Sequence, residues 1–298
     1  MIGGMPMRLV VTLRDWSEKL RFSALGADVF LVHPTGLSGL TPSTFSFEEI
    51  QGFIRRCRNE GGFLYVGLNQ MIHGKDLPLL ETFLQAMVAQ PPDAIVAFDL
   101  AVLERARAYG LADRVIYRPV TLNTNSRDIA FFRSAGLKGI TLSSTLDSEE
   151  WADLARVAAG LEISVFAHGH LDLFYSRRRL LTNHLMRLGI EKREGIQNSE
   201  WRLEEETRPG QRLPIWEDDA GTHVFSARKR ESFAAIRSHG SLLSDAFLDR
   251  LFLSDAEYEA ALAAYADPRL EAAFWRDYGF GYLPKGAPVP ANSGGIRP

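Results

Sequence analysis

The sequence predicts a parallel α/β protein: a (β/α)8-type, TIM-like barrel, regular or distorted, with a β-hairpin or loop excursion near residues 190–215. Three observations lead there. Short β-branched or apolar runs alternate seven times with longer amphipathic runs, the pattern of parallel βα units. Their spacing is regular, about 25–30 residues, which suits repeated strand–helix units. No glycine-rich phosphate-binding turn follows the first strand, and this favours a closed barrel over an open doubly wound sheet.

The elements follow in order. Residues 8–13 read as the first strand and 16–25 as a helix. Residues 27–32 form the second strand, and a Gly/Pro/Ser/Thr loop covers 34–46. Ser46 can cap the next helix, with Glu49 completing a capping box, and Gly61-Gly62 ends it. Strands at 63–68, 93–98, 114–117, 139–142 and 163–167 alternate with helices at 77–89, 101–109, 126–135 and 148–159. After Asn183 the rhythm breaks: residues 191–213 are polar and charged and read as the excursion. A short strand at 223–226, a closing strand at 246–251 and a final helix at 255–265 complete the chain.

Composition bounds the function. The chain has 298 residues, 46% hydrophobic and 24% charged, with a formal charge of −3. That is ordinary globular composition, and nothing marks the whole chain as a nucleic-acid binder. Residues 7–285 read as one barrel domain, with flexible segments at 1–6 and 286–298. No stretch suggests a membrane span, and the default location is cytoplasmic. Cys57 is the single cysteine, so the cysteine count excludes a disulfide, a Cys-ligated zinc and an iron–sulfur cluster. No cofactor is evident.

In parallel α/β folds the functional face lies at the carboxyl ends of the strands. The strand ends here present His33, Asn69, Asp99, Asn123, Asn125, Ser144, His168 and His170. Taken singly, each is more often a helix N-cap than a ligand, and Asp99, Asn125 and Ser144 are good cap candidates. The densest signal is the segment from His168 to Arg179. His168 and His170, with Asp99, are the candidate acid–base groups. Asn69, Asn123, Asn125, Tyr175, Ser176, Arg177 and Arg178 are the candidate substrate-binding residues, the arginines being able to grip carboxylate or phosphate. A divalent metal on His168 and His170 lacks a third ligand at suitable spacing. Asp218-Asp219 ahead of Gly221-Thr222-His223 reads better as a turn than as a metal site.

Several of these segments resemble peptidase family U32, the collagenase-like peptidases. They include Gly26-Ala27-Asp28, Phe45-Ser46-Phe47-Glu48-Glu49, Tyr65-Val66-Gly67-Leu68-Asn69, Asp93-Ala94-Ile95 with Asp99-Leu100, and Thr121 to Asn125. The family's signature region resembles residues 162–181, with Val165-Phe166 ahead of His168-Gly169 and with Ser176-Arg177-Arg178. Gly221-Thr222-His223-Val224-Phe225 is a further resemblance. The resemblance implies a barrel-like fold and a role in tRNA base hydroxylation, with prephenate or a related small dicarboxylate as donor. It also implies a second family protein as partner. Many members hold an iron–sulfur cluster on four cysteines near the signature; here those positions carry His170, Asp172, Tyr175 and Arg179. Two alternatives stay open: a non-catalytic partner subunit of a cluster-bearing member, and a metal-dependent peptidase. Neither an HExxH helix nor a Gly-x-Ser-x-Gly elbow is present to support the latter.

Overall fold

In a computed structural model the chain is described at residues 7–119, 121–189, 201–207 and 209–271. Eight parallel strands close into a barrel. In barrel order they are β1 (Arg8–Thr12), β2 (Val29–Val32), β3 (Phe63–Leu68), β4 (Ala94–Ala97), β5 (Val115–Tyr117), β6 (Gly139–Thr141), β7 (Glu162–Ser176) and β11 (Asp245–Leu248). Strand β11 closes the ring by pairing with β1 on one side and β7 on the other. The (β/α)8 expectation is therefore met.

Six helices fill the crossovers from β1 to β7: α1 (Glu18–Ala24), α2 (Phe47–Glu60), α3 (Leu77–Val88), α4 (Leu100–Ala108), α5 (Ser126–Ser134) and α6 (Ser148–Arg156). Helices α8 (Phe233–His239) and α9 (Asp255–Ala266) flank the closing strand. The Ser46–Glu49 capping box that the sequence predicts is present. Among the described residues no helix is long and apolar enough to cross a membrane.

Strand alternation separates two apolar layers. Residues such as Leu9, Val11, Phe30, Leu64, Ile95 and Val115 pack outward against the helices. Their neighbours Val10, Val29, Leu31, Tyr65, Val96, Ile116 and Phe247 form a separate cluster inside the barrel. The lumen floor is polar: Asp245, fully buried, accepts from Arg8 Nε at 2.7 Å, Tyr65 Oη at 3.0 Å and Ser164 Oγ at 3.4 Å.

Two features depart from the expected pattern. Strand β7 continues nine residues past Ala167, the expected end, to Ser176. Its extension carries an antiparallel arm of β10 (Thr222–Arg230), β9 (Arg212–Glu217) and β8 (Arg202–Glu204). The β8–β9 pair is the described part of the predicted excursion; residues 190–200, and the segments 1–6 and 286–298 read as flexible, lie outside the described residues. The strand expected at 223–226 is longer because β10 pairs along the whole extension of β7.

Candidate functional site

The carboxyl ends of the barrel strands surround an open cavity of about 830 Å3, mouth included. Leu31, Val96, Phe98, Leu142, Phe166, Phe225 and Leu251 give it apolar walls; the polar groups at its edge are His33, Asn69, Arg118, Thr141, Ser144, His170, Asp172 and Asp249. An apolar concavity with a few convergent polar groups is the usual form of a small-molecule site.

Among the described residues Arg118 is the one arginine that borders the cavity. Ile116 points into the lumen, so two residues on, past the end of β5, Arg118 does too. Its guanidinium sits over the Phe247 ring, 4.5 Å from the centroid, with Phe166 at 5.8 Å. Among the described residues it makes no hydrogen bond and no ion pair within 4 Å. Burial pulls its pKa down from the usual value, and the charge of Asp249 works against that shift. A guanidinium nevertheless remains charged. Asp249, at the end of β11, is moved the other way: burial raises its pKa, opposed by Arg118. His33 is held neutral, its pKa pushed to about 3 by burial and then by the Arg118 charge. Its Nδ1 lies 3.1 Å from Thr41 Oγ1.

On the arm side, Asp172 borders the cavity and lies 2.8 Å from His223 Nδ1 through Oδ2. With the proton on Nδ1, His223 donates to Asp172 and leaves Nε2 as the basic nitrogen, the arrangement of an oriented acid–base pair. The Tyr175 ring lies 4.6 Å from the imidazole, and the two residues border a second recess that shares Leu40, Asn69 and Phe98 with the main cavity.

The expected site residues divide into four groups. Asn69 and His170 border the cavity; His170 Nδ1 lies 2.7 Å from the Ser226 carbonyl oxygen, and burial lowers its pKa. Asp99, Asn123 and Asn125 hold backbone instead. Asp99 accepts from Ala101 N and Ile72 N, Asn125 caps α5 together with Asp128, and Asn123, at φ +67°, donates to the Thr141 carbonyl.

His168 faces away from the cavity. A bulge in the β7–β11 pairing between Phe166 and His168 shifts the alternation. Phe166 stays in the lumen while His168, 2% exposed, packs against Tyr265 and Phe233. Burial pushes its pKa to about 3.

The remaining expected residues sit on the arm. Tyr175 donates to the Ala220 carbonyl, and Ser176 Oγ accepts from Arg178 N. Arg177 and Arg178 are exposed just before α7 (Leu180–Arg187), outside the main cavity. Of the second basic run, Lys229 pairs with Glu257, and Arg230 is buried, bonded to the Ser144 carbonyl over the Trp151 ring. Asp218 accepts from Ala220 N and Trp216 Nε1, as a turn residue does.

The donors present do not fit a thiolate-held cluster. Cys57 is buried in α2, and burial raises its thiol to about 11. Among the described residues no group of three or more His, Cys, Asp or Glu side chains is gathered as for a metal ion.

Comparison with known proteins gives one family match and several relatives. The family profile described as peptidase family U32 matches residues 26–242. Over 222 residues the chain is 27% identical to tRNA hydroxylation protein P2 of Bacillus subtilis, spanning 73% of this chain and 71% of that one. It is 24% identical to tRNA hydroxylation protein P of Escherichia coli, over 74% of this chain and 58% of the relative. It is also 24% identical to tRNA hydroxylation protein P1 of Bacillus subtilis, over 62% of this chain and 44% of the relative.

Proposed function

The chain belongs to peptidase family U32, and from that premise we propose that it acts in tRNA base hydroxylation as one protein of a pair. The observation that carries this reading is its similarity to curated tRNA hydroxylation proteins, among them both P1 and P2 of one bacterium. The barrel-mouth cavity is the place where the chain meets the small-molecule donor, a carboxylic acid of the prephenate kind. The His223–Asp172 pair at its edge is the group suited to moving a proton. The tRNA approaches from the exposed Arg177–Arg178 side, where cations are free to meet phosphate. A cytoplasmic location belongs to the same reading.

The non-catalytic reading makes a different prediction. A partner that only supports another barrel needs no solvent-facing cavity with a half-buried cation, and Arg118 favours the active reading over it.

The test is the hydroxylated nucleoside content of total tRNA, measured by mass spectrometry in the native host with and without this gene. Loss on deletion, restored by the wild-type gene, is expected. An unchanged nucleoside profile would remove the chain from tRNA hydroxylation.

A further inference from the structure

The Arg118 guanidinium feels the charge of Asp249 but makes no hydrogen bond or ion pair within 4 Å among the described residues, and it is the group of the lumen best placed to meet a ligand. Placing a cation in an apolar enclosure is costly unless an anion meets it. Its face is taken by Phe247, at 4.5 Å, while the N–H groups in the guanidinium plane have no acceptor among the described residues. That leaves a planar fork of donors at the edge of an open cavity.

The surroundings define the anion. A carboxylate matches the fork through two parallel hydrogen bonds. A phosphate, carrying more charge and three terminal oxygens, calls for several donors or cations together, and among the described residues only one arginine borders this cavity. Among the described residues no lysine borders it, and both histidines that do, His33 and His170, have pKa values lowered by burial. Two acidic side chains, Asp172 and Asp249, stand at the same rim and oppose a second negative charge. The walls, from Leu31 and Val96 to Phe166 and Phe225, suit a largely apolar body.

We propose that the barrel-mouth cavity is a receptor for a single carboxylate, held by Arg118, on a small and largely apolar acid. This deepens the functional reading above by naming the head group and the residue that takes it. It also moves anion recognition from the exposed Arg177 and Arg178 into the barrel. A donor with two carboxylates places one on Arg118 and leaves the other outside the lumen.

The test is titration calorimetry on the purified full chain with four probes: cyclohexanecarboxylate, cyclohexane-1,4-dicarboxylate, inorganic phosphate and uridine 5′-monophosphate. Saturable binding of the monoacid is expected, with the diacid weaker and neither phosphate-bearing probe competing. Arg118→Met should weaken the monoacid by about 10-fold or more. Thermal melting of the same variant establishes that it is folded before its binding is compared with wild type. Arg118→Lys, which keeps the charge without the fork, separates loss of charge from loss of geometry and should fall between the two.

Failure of the wild-type chain to bind the monoacid would overturn the proposal. So would unchanged binding by a folded Arg118→Met, tighter binding of the diacid, or preference for phosphate. Loss of binding in an Arg177→Ala, Arg178→Ala double variant with Arg118→Met still binding would place the receptor outside the barrel and overturn it as well. These outcomes are independent of the tRNA measurement, so either reading can fail alone.

Discussion

At the scale of single residues, burial alters one imidazole at the site and another behind it. His33 and His168 both have pKa values pushed to about 3. The unfolded chain titrates them near the ordinary value of about 6.5. As pH falls from there towards 3, the unfolded state takes up protons that the folded state refuses, so stability is lost in that window. Each histidine removes up to about 1.4 kcal/mol per pH unit. Urea unfolding at pH 7.5 and pH 5 should show the loss, and His168→Leu should reduce the difference between the two pH values.

Gly169 is a second residue-scale constraint. At φ +128° it lets β7 pass close to β11, and a Cβ there would lie 3.0 Å from the Asp249 Cβ and carbonyl oxygen. Gly169→Ala should cost about 2–4 kcal/mol and disturb the rim beside Asp249, read as a lowered midpoint of urea unfolding.

Element by element, much of the barrel is legible in the sequence. Strands announce themselves as β-branched runs, and caps such as Ser46 and Asn125 stand where a helix must begin. The three residues that turned out to anchor backbone, Asp99, Asn123 and Asn125, show that a polar strand end is first a local device. Asn125→Ala should lose about 1 kcal/mol in thermal or urea unfolding, the usual worth of an N-cap.

The less legible parts have physical causes. His168 leaves the lumen because of a bulge in the pairing of two strands distant in sequence, which periodicity cannot reveal. The length of β7 depends on its antiparallel partner β10, again a long-range pairing. Arg118 was within reach: alternation through Ile116 puts it inside, but attention to caps and histidines passes over a lone arginine after a three-residue strand.

For the molecule as a whole, closure of the barrel joins stability to function. Asp245 on the closing strand ties Arg8, Tyr65 and Ser164 together beneath the lumen. Removing one partner of such a buried network leaves a charge without an answer. Asp245→Ala should therefore cost about 3–5 kcal/mol in urea unfolding, although the residue lies on the floor, below the groups at the mouth. At the opposite end Arg118, Asp249 and Asp172 border a single cavity.

The central claim is that this cavity serves tRNA hydroxylation. Its most direct test is mass spectrometry of hydroxylated tRNA nucleosides in native-host cells whose gene is deleted and replaced by wild type or Arg118→Met at matched protein levels. The account predicts hydroxylation restored by wild type and largely absent with Arg118→Met. Full hydroxylation with the folded variant, or with no gene at all, would contradict it.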